Sequence, residues 1–414
     1  MFTNIDEALN WLFTQKKTQK RENLDRIKLC VNRLNCNPDY KIAHIAGTNG
    51  KGSTASNLKN IMVNTGKRVG LFVSPFVVCF NERIQINNEY IKDYEILNYL
   101  SILKIFSDEY KITFEDTIPF FELTLLMALM YFKDNNVDMA VIECGLGGKL
   151  DATNFINPDI TIITNVGFDH MNSLGDELSE IAEHKLGIAK PGKVCLTCVE
   201  DQLRKQFNTH AKNNNVEMIY VNDDVKNIIL SDVTQFTYKE VIYLTPLLAT
   251  YQAFNAALAI EAAFRLDPSI SSETIQKGLN ETFWPGRMEV ISKEPLVIID
   301  GAHNIHGICG LVDSLKVLTN KKIKVVFTAL SDKEYKAMVH KLEEVTEEFY
   351  FTTINDNRAM DIELFNALTS KKYLIIDDFK DCIDLALSTL SAEECLLITG
   401  SLHFISAVRQ YLLQ

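Results

Sequence analysis

No stretch of this chain is apolar for long enough to cross a bilayer. The longest strongly apolar run, Leu123 to Phe132, is about half of the ~20 residues that a spanning helix needs. A secretory leader pattern is also missing: Asp6 and Glu7 break the first apolar stretch, and no basic segment comes before it. These absences point to the cytoplasm and away from a membrane. Excess positive charge is lacking as well. The formal net charge of −12 argues against a nucleic-acid surface, while leaving room for a local positive field around a small anion. There is no disulfide framework either. The nine cysteines are odd in number and scattered, as expected of free thiols in a reducing compartment. Cys195 and Cys198 form a lone Cys-x-x-Cys inside 193–199, which reads as a strand. Period 2 sends them to opposite faces, and no second pair completes a zinc site. Low-complexity segments and repeats of solenoid period are absent too.

What is present is an ordinary globular composition, 47% hydrophobic and 23% charged over 414 residues, too long for one compact core. Strand-like runs at 42–46, 69–73, 138–143, 159–164 and 193–199 alternate with helical patterns, notably 119–134 and 177–189. That is the rhythm of a parallel sheet with crossover helices. Residues 215–245 are less regular and read as a small antiparallel insertion. A long helix pattern at 249–265 leads to the turn Trp284-Pro-Gly286. The alternation then restarts with strands at 296–300, 323–328, 348–353, 373–377 and 395–399, and ends in a helix from Leu402 to Leu412. The expected architecture is α/β: an N-terminal P-loop ATPase domain with a mostly parallel sheet over 1–290, and a smaller Rossmann-like α/β domain over 291–414.

The segment Gly47-Thr-Asn-Gly-Lys-Gly-Ser53 lies between the apolar run Ile42–Ala46 and a helical pattern that sets Ala55, Leu58 and Met62 on one face. Strand, glycine loop and helix together form a phosphate cradle. Glycines let N–H groups turn inward, the helix N-terminus adds partial positive charge, and Lys51 can reach the outer phosphates. Two residues, not four, separate Gly47 from Gly50-Lys51, and Gly52 stands between Lys51 and Ser53. The tighter loop suggests a different branch from the common ATPases and GTPases. Glu143 and His170 both follow predicted strands. They could converge on this loop, where Mg²⁺ takes hard oxygen ligands and accepts an imidazole.

The order of clusters is specific. It runs Gly47–Ser53, Ser74-Pro75, Phe80-Asn-Glu-Arg-Ile84, Gly145-Leu-Gly-Gly-x-Leu-Asp-Ala-Thr-Asn154, Asp169-His170, Gln252-Ala-Phe-Asn255, Trp284-Pro-Gly-Arg287, Asp300-Gly-Ala-His-Asn304, Ser331-Asp-Lys333 and Thr399-Gly-Ser-Leu402. This series resembles the folylpolyglutamate synthase and dihydrofolate synthase family of the Mur ligase superfamily, over nearly the whole chain.

The resemblance implies an ATP-dependent amide ligase that adds L-glutamate to the glutamate tail of a reduced folate through an acyl phosphate. Thr48, Asn49, Gly50, Lys51, Gly52 and Ser53 would hold ATP, with Asn255, Arg287 and Asp300 as further ATP contacts. Ser74, Glu143 and His170 would ligate Mg²⁺. Lys185 would be carbamylated and ligate a second Mg²⁺. His303 would lie close to the phosphates, and Lys51, Lys185 and His303 are the catalytic candidates. Pro119, Phe120, Phe121 and Glu122, with Leu150, Asp151 and Ala152, would line the pterin side. The family's habit is a monomer.

Departures from the family pattern are Lys149 in place of a usual Arg, which loses a planar fork, and Phe76 where many members have His. Residues 18–21 do not reproduce the N-terminal residues with which bifunctional members hold dihydropteroate, so dihydrofolate synthase activity stays open. Two other functions compete. A peptidoglycan-precursor ligase would carry a nucleotide-sugar module ahead of the ATPase domain, and the 46 residues before Gly47 are too few for one. A nucleotide-driven binding switch would hydrolyse ATP without requiring glutamate.

Overall fold

The computed structural model describes residues 2–16 and 23–413. The segment 18–21, compared above with the N-terminal residues of bifunctional members, lies outside the described residues. The chain divides into two compact units.

The first unit comprises 1–166, 172–223 and 256–281. Its sheet has eight strands: β1 Lys41–Ala46, β2 Val69–Phe72, β3 Ile84–Ile86, β4 Glu89–Tyr90, β5 Met139–Glu143, β6 Ile160–Ile163, β7 Val194–Thr197 and β8 Glu217–Tyr220. Their order is β4-β3-β2-β5-β1-β6-β7-β8. From β2 to β8 every pairing is parallel, and β3 and β4 add an antiparallel edge. β1, β5 and β6 read as continuous Ile/Val/Ala-rich runs because both faces of a parallel sheet are covered by helices. β1 lies between β5 and β6, so the glycine loop leaves its carboxyl end at the point where the connections diverge, the usual place for a ligand in an open α/β sheet.

The helix after the loop, Lys51–Val63, is not amphipathic as its sequence suggested. Every residue from Ser53 to Met62 is buried. Gly278, on the helix Ser272–Asn280, packs so tightly against it that an added Cβ would meet the Ile61 backbone at 2.4 Å. The strand expected over 193–199 ends at Thr197, which puts Cys198 just beyond it. Both Cys195 and Cys198 are free thiols.

The second unit comprises 167–171, 224–255 and 282–414. Its three-stranded antiparallel sheet, β9 Val225–Leu230, β10 Thr234–Tyr238 and β11 Val241–Thr245, occupies most of the irregular stretch. The stretch also holds β8, which belongs to the large parallel sheet, and a short 3-10 turn, Val221–Asp224. A six-stranded sheet follows: β12 Glu289–Lys293, β13 Leu296–Asp300, β14 Lys322–Phe327, β15 Thr346–Phe351, β16 Lys372–Ile375 and β17 Glu394–Thr399, in the order β12-β13-β17-β14-β15-β16. All its pairings are parallel except β12 with β13. The expected boundary at 290/291 falls inside β12.

Period-2 alternation distributes this sheet between two cores. Ile298, Val325, Phe327, Phe349 and Leu397 pack with the helix Ile305–Leu318. Val297, Ile299, Val326, Tyr350 and Ile398 pack with Phe404, Ile405 and Val408 of the helix Leu402–Leu412. Among the described residues no helix is long and apolar enough to cross a membrane.

Candidate active site

In the first unit the glycine loop is pinned by the end of β6. Asn165 accepts from Thr48 N at 3.2 Å through its carbonyl and from Asn49 N at 2.9 Å through Oδ1. Thr164 Oγ1 and Asn165 Nδ2 donate back to Asn49 O at 2.6 and 3.1 Å. Gly47 is obligatory here, since an added Cβ would lie 1.8 Å from Thr164 Oγ1. Gly50, at φ +80, turns the chain into the helix that begins at Lys51. The Lys51 ammonium donates to Gly47 O and Thr48 O at 3.2 and 3.3 Å and lies 3.8 Å from Glu143 Oε1. Ser53 is buried in the first helical turn. Glu143, 3% exposed, ends β5 and also accepts from Ser74 N at 3.0 Å. Ser74 lies just past β2, and β2 pairs with β5. The loop, Lys51, Ser74 and Glu143 are therefore brought together.

The run after Glu143 joins this group to the expected pterin segments. An added Cβ on Gly145 would strike the Phe121 ring at 2.7 Å, and one on Gly148 would strike His184 O at 2.7 Å. The run thus fits between Phe121 and the helix Leu178–Leu186, which carries buried Lys185. Burial raises the Cys144 thiol pKa well above the usual range, Asp151 adds to the rise, and the charges of Lys51 and Lys185 oppose it. Asp151 accepts from Leu146 N at 2.9 Å and Thr153 N at 3.0 Å, fixing the turn that presents Leu150 and Ala152. Lys149 reaches Glu183 at 3.0 Å, an exposed pair. Pro119 caps the helix that starts with Phe120 and Phe121, and Phe121 tilts against Phe72 with ring centroids 5.7 Å apart.

Glu122 is different. Both its oxygens accept from Arg26, at 2.8 and 2.9 Å, and Arg26 also binds Asp116 at 2.8 Å. Arg26 is a partner the sequence did not reveal, because the two residues are 96 positions apart.

His44 was also missed. It is fully buried on β1, with Nε2 2.7 Å from Thr153 Oγ1 and 3.1 Å from Cys144 Sγ. Its place inside an apolar strand run was the available signal.

The second unit holds the other predicted residues. Asp300, 2% exposed, ends β13 and accepts from Met288 N and Ala302 N, each at 2.8 Å, and from Tyr251 Oη at 3.2 Å. Burial raises its pKa, and the charge of Arg287 opposes that rise. Asn255 donates to Gln252 Oε1 at 2.9 Å. His303 hydrogen-bonds Gly301 O through Nδ1 at 2.8 Å, and its Nε2 is 3.6 Å from Asp169 Oδ2. Asp169 further binds Lys333 Nζ at 2.6 Å and Asn304 Nδ2 at 2.9 Å. Against the cost of burial, hydrogen bonding by His303 and the charges of His170, His303 and Lys333 hold the Asp169 carboxyl far below the usual carboxylate range. His170, at φ +52, is half exposed. The Asp169–Lys333 pair links the Asp169-His170 and Ser331-Asp-Lys333 motifs through two residues to which the sequence assigned no role.

Among the described residues no three His, Cys, Asp or Glu side chains are grouped to hold a metal ion. The expected set differs in kind, since it includes a hydroxyl and a modified lysine. Of that set, Ser74 and Glu143 stand at neighbouring strand ends and offer hard oxygens, a fit to Mg²⁺.

Residues 45–263 match the Mur ligase middle domain, and 286–402 match the Mur ligase glutamate ligase domain. The Bacillus subtilis dihydrofolate synthase/folylpolyglutamate synthase is 35% identical, with 100% of both chains covered. The chain belongs to the folylpolyglutamate synthase/dihydrofolate synthase family. A folylpolyglutamate synthase from Lacticaseibacillus casei is 33% identical over 99% of both chains. Within this family, a solved FPGS–AMPPCP–folate complex aligns with TM-score 0.89 at 30% identity, covering 100% of both chains. A bifunctional folylpolyglutamate synthase/dihydrofolate synthase with Mn, AMPPNP and L-glutamate bound aligns with TM-score 0.86 at 27% identity, covering 100% of this chain and 98% of that one.

Proposed function

We propose that this protein is an ATP-dependent ligase that adds L-glutamate to the glutamate tail of a reduced folate. One observation carries the reading: a short glycine cradle at the centre of a parallel sheet holds Lys51 within 3.8 Å of a buried strand-end carboxylate, Glu143. Family membership over the full chain turns that nucleotide site into a ligase site, and it favours folate over a peptidoglycan precursor or a non-ligase switch.

The loop N–H groups from Thr48 to Ser53 and the helix N-terminus receive the phosphates. Lys51 neutralises charge as the γ-phosphoryl moves to a carboxylate of the folate tail. The resulting acyl phosphate is attacked by the glutamate amine, and the tetrahedral intermediate collapses to amide and phosphate, leaving ADP. Asn255, Arg287 and Asp300 contact the nucleotide, and His303 lies near its phosphates. The pterin is lined by Pro119, Phe120 and Phe121 on one side and Leu150, Asp151 and Ala152 on the other. Glu122 acts there as the anchor that Arg26 holds. Ser74, Glu143 and His170 would hold one Mg²⁺ and carbamylated Lys185 a second, and the metal would supply screening of phosphate charge. The protein acts as a monomer in the cytoplasm.

The test is ADP release with ATP, Mg²⁺ and glutamate, comparing tetrahydrofolate with dihydropteroate as acceptor. Release should depend on both glutamate and tetrahydrofolate. ADP release that ignores glutamate would reject the ligase, and turnover of dihydropteroate would establish the second activity. Lys185→Ala should lose most turnover in the same assay, with partial recovery in formate. Full activity without any additive would reject the carbamate.

A further inference from the structure

The Phe80-Asn-Glu-Arg-Ile84 motif has so far no chemical role. Its arginine is unusual. Arg83 keeps 7% of its surface exposed, yet among the described residues its side chain makes no hydrogen bond or ion pair, and its Nε is buried without a partner. It lies instead among three rings, with its guanidinium carbon 5.3 Å from the centroid of Phe76, 5.9 Å from Phe80 and 5.3 Å from Phe120.

Neither carboxylate whose charge it feels is its hydrogen-bond partner. Glu82 accepts from the backbone N–H groups of Val77, Val78 and Cys79 at 2.7, 2.8 and 3.0 Å, and Glu143 is engaged by Ser74 N and Lys51. Burial lowers the Arg83 pKa to about 10, so the group stays charged at neutral pH. A buried charge without a partner is costly. Three aromatic faces recover part of that cost but leave the planar donor fork unused, and this fork matches a carboxylate in bidentate fashion. Phe120 belongs to the segment proposed to line the pterin, and Glu143, whose charge Arg83 feels, stands at the phosphate loop, so Arg83 lies against the ring-binding wall and within electrostatic reach of the phosphoryl-transfer end of the same unit.

We infer that Arg83 grips a carboxylate of the folate tail and thereby orients the acceptor toward the γ-phosphoryl group. The assignment rests on the folate reading above. A lysine would be a poor substitute, because it keeps the charge and loses the plane that both stacks on the rings and presents two donors. A nucleotide phosphate is the other oxyanion within this chemistry, and the experiment separates the two.

Equilibrium binding is measured for tetrahydrofolate, for its tail diamide (both carboxylates converted to amides) and for a non-hydrolysable ATP analogue. The proteins are wild type, Arg83→Gln and Arg83→Lys. Wild type should prefer tetrahydrofolate over the diamide by about ten- to a hundred-fold, the scale of a charge-assisted hydrogen-bonded pair. Arg83→Gln should lose that preference, with diamide and ATP-analogue affinities changed less than about three-fold, and Arg83→Lys should fall between them. If Arg83→Gln does not melt cooperatively, the Arg83→Lys protein carries the test by the same selective loss. Equal weakening of tetrahydrofolate and diamide would overturn the proposal in favour of a packing role. Weakening of the ATP analogue alone would overturn it in favour of phosphate. Unchanged binding of all three would overturn it outright while leaving the folate reading intact. Failure of wild type to bind either folate would sink both.

Discussion

His44 illustrates what a buried imidazole does to stability. It sits in β1 with no surface exposed, and burial lowers its pKa from 6.5 to about 3. Between those values the unfolded chain binds a proton that the folded protein refuses. Stability from this group is therefore full above pH 6.5 and declines as pH falls toward 3. The slope is about 1.4 kcal/mol per pH unit, and the whole effect is at most on the order of 5 kcal/mol. His44→Gln can still meet Thr153 Oγ1 but does not titrate. Urea unfolding at pH 7, 5.5 and 4.5 should show wild type losing stability faster than the variant as pH falls. Parallel pH profiles would contradict the buried neutral imidazole. The sequence shows a histidine in an apolar run but says nothing of its partners, Thr153 and Cys144, about a hundred positions away. The same limit hid Arg26 beside Glu122 and Lys333 beside Asp169. Pairs that meet only through tertiary folding leave no periodic trace.

Strands and helices were legible where burial was uniform. β1, β5, β6, β13 and β17 lie within two residues of their expected ends, because buried parallel strands are unbroken apolar runs bounded by turn residues. The helix Asp93–Phe114 went unread. Its buried residues Ile96, Leu100, Leu103 and Tyr110 keep a helical spacing, but exposed Tyr94, Ile102, Ile105 and Ile112 fill the opposite face and erase the contrast. β12 was missed for the converse reason, being a half-exposed edge strand with Glu289, Ser292 and Lys293 along it.

The expected amphipathicity of Lys51–Val63 failed because neighbours cover it all round, and Gly278 is one of the closest. Helix propensity favours alanine over glycine by about 1 kcal/mol in a helix interior. At 278 packing should win, since the nearest atoms to a new Cβ are the Ile61 backbone at 2.4 and 2.6 Å, which cannot rotate away. Gly278→Ala is expected to destabilise by about 1–3 kcal/mol, read as a fall in the urea midpoint. Lys277→Ala on the exposed side should stay within about 0.5 kcal/mol. A stabilised Gly278→Ala would show that the two helices can part at little cost.

At the scale of the whole molecule the alternation of elements foretold two α/β units, but not how the chain is divided between them. It passes from one unit to the other five times, and the helix Thr250–Leu266 contributes 250–255 to one and 256–266 to the other. No sequence pattern announces this, because the helix is continuous across the division. Proteins of two units commonly unfold in two steps. Here neither unit can unfold alone without unwinding part of that helix and loosening the segments that return to the other unit, so the shared backbone should couple them. The two tryptophans provide a direct reading, since Trp11 belongs to the first unit and Trp284 to the second. Trp284→Phe leaves fluorescence that reports the first unit, and Trp11→Phe leaves fluorescence that reports the second. Thermal unfolding followed by far-UV circular dichroism in each variant corrects for any change the substitution itself makes in stability. Each fluorescence midpoint should coincide with the circular dichroism midpoint of the same variant. If Trp11 and Trp284 instead report melting on opposite sides of the circular dichroism transition, the shared helix does not couple the units, and the crossings of the chain act as hinges.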